Sequence, residues 1–305
     1  MAVKPSTVSW PVKMKYARWV SDDSPLVPFL FIAPYLAFFI VFTVYPIIQG
    51  MVIAFSDYDL IAESSRFIGL ANFEAIFDPQ NLFVKSLTNT VKYVVFGVPV
   101  FVVVGFIIAL VMNSDIPGRI VFRSVFAMPF VINVAAMSLM FLWMFDSRVG
   151  IINYYFMKLG LPPQEWLSHP TSALGVIIFV SLWWGLGGVY LPFLAALQDI
   201  PQEYYEAAAI DGANSLQSFR YITIPCLKPT MLFVTVTQVI AGFQVFGQVL
   251  LITGGGPANS TRVVLQHIYD SGFQFFRLGE ASAMAWILFL ILMGITVTQF
   301  RLMQR

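Results

Sequence analysis

The sequence predicts an all-α membrane protein with six transmembrane helices, and three observations carry that prediction. Hydrophobic residues make up 58% of the chain and charged residues 11%, far from the roughly 25% charged of a soluble domain. Six nearly charge-free apolar runs lie at about 28–55, 91–113, 122–145, 172–197, 229–252 and 281–300. Each is long enough for the ~20 residues that cross a hydrocarbon core. Finally, a polar stretch at 199–229 separates the fourth run from the fifth and carries its own helix signals.

Residues 1–26 hold Lys4, Lys13, Lys15 and Arg18 among Trp10 and Trp19, a basic, aromatic lead-in suited to a cytoplasmic membrane surface. The run that follows is far too long for a cleaved signal peptide and lacks a tidy cleavage site. The expected organisation is therefore a retained cytoplasmic tail, 1–26, ahead of one transmembrane domain, 27–305. In the first span, Pro34 and Pro46 predict a kink or break near its outer end. Pro99, Pro129 and Pro192 predict bends in the second, third and fourth, because proline removes a helix hydrogen bond and crowds the preceding turn. Lipid tolerates such bends where neighbouring helices resupply the backbone partners.

Lys and Arg placement gives the orientation. With the N-terminus inside, the inner set is Lys4, Lys13, Lys15, Arg18, Arg119, Arg123, Arg220, Lys228, Arg301 and Arg305. The outer set is smaller: Arg66, Lys85, Arg148, Lys158, Arg262 and Arg277, with Lys92 near the start of the second span. Both termini and residues 199–228 are thus expected in the cytoplasm, and 56–90, 146–171 and 253–280 outside.

The polar stretch reads as a helix–glycine–helix elbow. Pro201 can start a helix, Glu203 and Glu206 suit its positive end, and Gly212 supplies a left-handed stop. Asn214 or Ser215 can cap a second short helix through Phe219 to Ile224, which Pro225 and Pro229 are expected to end.

Chemistry of several kinds is excluded. No G-x-x-x-x-G-K-[ST] occurs, and Gly254, Gly255 and Gly256 have no following Lys, so the chain has no phosphate-cradling loop. The single cysteine, Cys226, cannot form an internal disulfide and reads as an apolar filler. His169 and His267 are expected in external loops without Cys or carboxylate at ligand spacing, so no metal site and no enzyme active site is expected. The fourth to sixth runs hold no Asp, Glu, Lys, Arg or His, whereas ion-coupled carriers place such groups in the membrane. Their polar groups are neutral: Asn133 and Ser138 in the third run, Ser181 in the fourth, and Gln238, Gln244 and Gln248 in the fifth. Trp143, Trp183, Trp184, Tyr190, Phe243 and Phe246 accompany them. Neutral hydrogen-bonding groups beside flat rings suit a sugar, although a lone Gln also serves as interhelical glue and Trp as part of the interfacial belt.

Glu206, Ala207 and Ala208, then three residues, Gly212, nine residues, and Ile222-Thr223-Ile224-Pro225 resemble the EAA motif of ABC importer permeases, EAA-x3-G-x9-I-x-L-P, with Ile224 in place of Leu. The resemblance implies the type I permease fold. In it, the elbow is a cytoplasmic coupling helix seated on an ATP-binding subunit, so that Glu206, Ala207, Ala208, Gly212, Ile222 and Pro225 carry the coupling. GLANFEAIFDP and SLTNTVKY within 56–93, and the run from GGGPANST at 254–261 onward, resemble the sugar-permease subgroup that includes the larger maltose permease subunit. By distance from these motifs, that likeness implies a substrate path along Ser181, Trp184, Gly185 and Gly188 before the elbow. After it, the path would follow Gln238, Gly242 and Val245, with Gln244 adjacent.

The implied protein is a multi-pass subunit of the cell (inner or plasma) membrane that imports a sugar or oligosaccharide by alternating access. It binds no cofactor itself; ATP and magnesium sit on two copies of a partner ATP-binding subunit. A second permease and an extracytoplasmic solute-binding protein complete the assembly, and nucleic acid has no place in it. A glycerol-phosphate importer shares the motif and stays open as an alternative, as does, more remotely, an ion-coupled secondary transporter.

Overall fold

The computed structural model describes residues 26–59 and 64–303, so the expected tail lies outside the described residues except at Leu26. Two units are present, Met1–Gly50 and Met51–Arg305. The first holds α1 (Leu26–Phe39), a π-helical turn over Ile40–Val44 and the start of α2 (Tyr45–Ala54). Together they form one apolar helix, Phe29–Ala54, long enough to span. The break expected from Pro46 is instead a widened turn, with the N–H of Tyr45 bonded to the carbonyl of Ile40, five residues back. Widening the ladder ahead of a proline relieves the ring's clash with the preceding turn without ending the helix.

The second unit opens on an antiparallel hairpin, β1 (Ser56–Asp59) and β2 (Ser64–Phe67), with Ser56 opposite Phe67. This small sheet is the departure from the all-α expectation; the strands are too short and polar to register as a period-two pattern. Next come α3 (Ala71–Ala75) and α4 (Phe83–Asn113). Helix α4 begins eight residues before the expected 91, because the Asn81 side chain accepts the Phe83 N–H at 3.0 Å and starts the helix in polar sequence. It runs without interruption through Pro99, as does α8 (Pro170–Gln198) through Pro192.

Two expected spans are broken. The third consists of α5 (Arg119–Ala127), a tight turn over Met128–Val131 and α6 (Val134–Met144), bent by 100°. Pro129 sits in that turn, and Asn133 caps α6 by accepting the Ala135 N–H at 2.8 Å. The fifth run ends as α11 (Ile224–Phe243) and resumes as α12 (Gly247–Ile252), leaving 244–246 non-helical. In all, five helices are long and apolar enough to span among the described residues, or six if the bent pair counts as one.

The remaining elements are α7 (Ile151–Lys158), α9 (Gln202–Ile210), α10 (Ser215–Ser218), α13 (Val264–Tyr269) and α14 (Leu278–Met303). Helix α4 packs along α8 and α11 through Tyr93, Val98, Phe101, Ile177, Phe193 and Phe243. Small residues allow this approach: a Cβ on Gly105 would clash with Val189 Cγ1, and one on Gly242 would fall 2.9 Å from Val94 Cγ2. Such close backbone contact is how helices associate where lipid removes the hydrophobic drive between them. A second cluster joins Met137 and Phe141 of α6, Val180 of α8 and Ile252 of α12.

Candidate transport path and coupling elbow

The two span breaks lie against each other. A Cβ on Gly247, the first residue of α12, would stand 3.1 Å from Val134 Cγ2, at the start of α6. Helix α8 seals the bend beside them: Trp184 Nε1 donates to the Ile132 carbonyl at 2.8 Å. Gly187 and Gly188 admit Phe130, each with a Cβ position 3.1 Å from the nearest Phe130 atom. Interrupted backbone at membrane depth persists only where protein or a water-filled cavity supplies its partners, and here a tryptophan indole supplies one.

The residues expected along a substrate path fall into different settings. Trp184, Gly188 and Gln244 border the breaks, Gln244 being exposed at the end of α11. Ser181 is buried and accepts a 3.1 Å hydrogen bond from Gln248 Nε2. Gly185 faces open space, and Gln238 is half-buried. Gly242 and Val245 pack into the core. Ile132 and Phe130 were not singled out in the sequence; Pro129 marks their neighbourhood but not the depth of the bend.

At the end away from the elbow, the two stretches that resemble sugar permeases meet. Asn89 Nδ2 donates to the carbonyls of Asn259 (2.9 Å) and Arg262 (3.0 Å), and Lys85 Nζ to that of Ala258 (2.7 Å). Thr90 Oγ1 accepts the Val264 N–H at 2.9 Å. Inside the glycine turn, buried Thr261 donates to the Gly256 carbonyl at 2.7 Å and meets Thr253 Oγ1 at 2.8 Å. Arg262 pairs with buried Asp270 at 3.1 Å.

His267, expected in an open loop, is instead buried in α13, with Nε2 2.9 Å from Asn81 Oδ1. Burial, reinforced by the Arg262 charge, pushes its pKa down to about 4, so the imidazole is neutral at pH 7. His169 meets Thr171 Oγ1 at 3.0 Å at the start of α8. Among the described residues no three His, Cys, Asp or Glu gather as a metal site would require.

The elbow has the local structure its residues dictate. Gly212 takes φ +79°; its N–H bonds to the Ala209 carbonyl (3.1 Å) and that of Ala213 to Ala208 (2.9 Å), the paired bonds of a Schellman stop. Asn214 and Gln217 then exchange side-chain-to-backbone hydrogen bonds of 2.8 and 2.9 Å, a capping box. Pro225 does not end the second helix as expected. A π-helical turn over Phe219–Thr223, closed by the Ile224 N–H on the Phe219 carbonyl, carries it onward, and Ser215–Phe243 is one helix. Tyr205 OH lies 2.9 Å from Thr223 Oγ1 and ties α9 to this turn. Glu206, Ala207, Gly212 and Pro225 are exposed, Ala208 and Ile222 half-buried. Around them Ile210 (87%), Leu216 (74%) and Tyr221 (70%) stand out of the surface, more apolar area than an isolated polar loop would leave uncovered.

Residues 80–304 match the model of the family described as binding-protein-dependent transport system inner membrane component. The chain belongs to that family.

This inner membrane component is 35% identical over 292 residues to the probable ABC transporter permease protein YesP of Bacillus subtilis (strain 168), covering 94% of this chain and 93% of that one. It is 34% identical to the arabinooligosaccharides transport system permease protein AraP of Halalkalibacterium halodurans, over 92% and 89% of the two chains. The sn-glycerol-3-phosphate transport system permease protein UgpA of Agrobacterium fabrum is 30% identical, over 92% and 95%. In fold, the component resembles a chain from the crystal structure of a bacterial ABC transporter involved in the import of the acidic polysaccharide alginate. The TM-score is 0.80 at 21% identity, over 91% of this chain and 95% of that one. As a member of this family the chain is a multi-pass permease subunit; its five or six candidate spans and its likeness in fold agree with the type I reading of its sequence.

Proposed function

We propose that this permease subunit imports a sugar or oligosaccharide by alternating access, as one of two permeases above two copies of an ATP-binding subunit that holds ATP and magnesium. An extracytoplasmic binding protein delivers the solute. Residues 1–26 form a cytoplasmic tail and 27–305 the transmembrane domain, with both termini and the elbow in the cytoplasm.

The observation that carries this reading is the contact between the two span breaks at Val134 and Gly247. Broken helices expose backbone groups and end-dipoles to a solute at the membrane interior. What surrounds them here is neutral: the Ile132 carbonyl, Trp184, Phe130, Asn133 and Gln244. A few hydrogen-bonding groups among flat apolar rings suit a ligand of hydroxyls and CH faces. The relative named for arabinooligosaccharides supports the same class.

Coupling follows from the elbow. The ATP-binding subunits seat Glu206, Ala207, Ala208 and Gly212, with Ile222 and Pro225 behind them. Their closure on ATP pushes α9, and the Tyr205–Thr223 bond passes that push to α11, whose far end is the break at 244–246. Ser181, Trp184, Gly185, Gly188, Gln238, Gly242, Gln244 and Val245 lie along the path that this movement opens and closes.

The experiment is uptake into vesicles holding the assembled transporter, with ATP inside and binding protein outside. Pentose and hexose oligosaccharides and glycerol phosphate are offered in turn. Uptake of at least one saccharide is expected; uptake of glycerol phosphate with no saccharide would move the protein to the phosphate-ester class.

A further inference from the structure

We propose that the outer ends of α4 and α8 form an intake groove for negatively charged saccharides, lined by Lys85 and Lys92. This rests on the carbohydrate-importer reading and names the substrate class within it. The groove encloses about 550 Å³, between Lys85, Asn89, Lys92 and Phe96 of α4, Thr171 and Gly175 of α8, and Ser260 of the glycine-rich turn. Positions 85, 89, 92 and 96 recur at helical spacing and form one stripe. The two lysines therefore stand on the same wall, roughly 10 Å apart along the helix axis at 1.5 Å per residue.

Lys92 is the telling one. It lies nine residues into α4, within the expected second span, and is exposed. Among the described residues it has neither a hydrogen-bonded nor an ionic partner. A lysine at such a place marks a water-filled path or an anion. Lys85, one of the groove's upper residues, already gives one hydrogen bond to the Ala258 carbonyl, 2.7 Å away, which fixes its ammonium beside the turn that closes the groove. Leu174 and Ile178 of α8 and, beside the lysines on α4, Phe96 provide apolar wall, and nothing lies within 4 Å of where a Gly175 Cβ would be.

Two cations spaced along a trough match a chain that bears acid groups on more than one unit. A single phosphate ester would meet one of them and leave the other unpaired. Charge is thus read at the entrance, where low-dielectric walls focus the field, and the sugar body is held by the neutral groups at the span breaks.

The test uses the complete transporter with its binding protein, in vesicles of zwitterionic lipid and again with anionic lipid added. The probes are galacturonate and glucuronate dimers and trimers and their neutral galactose and glucose counterparts; capture by the binding protein is measured separately. Acidic oligomers are expected to enter the faster. In Lys92→Gln and in the Lys85→Gln/Lys92→Gln pair, the ratio of acidic to neutral uptake should fall at least tenfold at unchanged capture. Lys92→Arg should restore most of it. An unchanged ratio, or an equal fall for both sugar classes, overturns the proposal. So does a deficit confined to vesicles containing anionic lipid, which would assign the lysines to headgroups. Import of neutral oligomers alone sinks this inference and leaves the importer reading intact; import of glycerol phosphate and no saccharide sinks both.

Discussion

Val134 and Gly247 touch across two different spans: the valine methyls lie 3.1 and 3.3 Å from where a Gly247 Cβ would be. Neither residue belongs to a sequence motif, yet their contact is what brings the bend at 132–133 and the break at 244–246 together. Space, not conformation, favours glycine here, since its φ is not positive and any β-carbon would crowd Val134. Gly247→Leu would drive a branched side chain into Val134, an overpacking cost of about 1–3 kcal/mol, and force the breaks apart. Lower thermal stability in detergent and loss of uptake are expected together. Gly185→Ala is the control, since no atom lies within 4 Å of that position, and inside a helix it should leave stability unchanged or raise it by up to about 1 kcal/mol. A Gly247→Leu protein as stable and active as its parent would show that the two breaks do not work as one junction.

Tyr205 and Thr223 give a separate handle on coupling. Their 2.9 Å bond joins α9 to the π-helical turn, and losing one such bond costs about 0.5–1.5 kcal/mol. Tyr205→Phe keeps the ring and removes only the hydroxyl. ATP hydrolysis should continue while less sugar enters per ATP consumed. Thr223→Val should behave alike, and the double variant should be no worse than either single one, as a shared interaction requires. Additive losses in the double variant would mean that the two side chains act independently.

The sequence showed most where the information is local. Gly212 at φ +79° and the Asn214 cap both follow from backbone chemistry within a few residues. The spans follow from composition. Proline is ambiguous in the sequence: Pro225 reads as a stop, but the turn before it widens and the helix continues, whereas Pro129 reads as a bend and marks a 100° break. Whether a proline kinks, breaks or is absorbed depends on partners from other helices, such as Trp184 on the Ile132 carbonyl, and these are far away in sequence. Matching Gly242 and Val245 by distance from a motif gave their place along the chain, and the fold adds that both pack against the core.

His267, held against Asn81 just ahead of α4, makes the packing of α13 sensitive to acid. Its folded pKa, about 4, lies below the ordinary 6.5, so the unfolded chain binds the proton more readily. Stability from this group is present in full above about pH 6.5 and is lost as pH falls toward 4. Asp270 works against it at the acid end, because burial raises its carboxyl above the usual value despite the neighbouring Arg262; the histidine effect is clearest between pH 6.5 and 5. Melting temperature should drop across that interval, and His267→Gln should flatten the slope. A slope that survives the substitution would place the titrating group elsewhere.

Gly212 allows the elbow to be tested through backbone alone. A side chain there would meet nothing within 4 Å, so only the φ of +79° opposes substitution. For a residue with a β-carbon that costs ~1–2 kcal/mol, and β-branching adds to it, whereas asparagine enters the left-handed region readily. Gly212→Asn should therefore retain uptake close to that of the parent. Gly212→Val should open the Schellman stop, displace Asn214 and its capping box, and shift the surface carrying Ile210 and Leu216. Glu206→Lys, also at an exposed position, reverses a charge without straining the chain. Both Gly212→Val and Glu206→Lys should insert in the membrane, lose transport and release the ATP-binding subunit on purification, while the binding protein captures sugar as before. Normal co-purification and full uptake in both would remove the elbow from the coupling path, whatever its resemblance to the EAA motif.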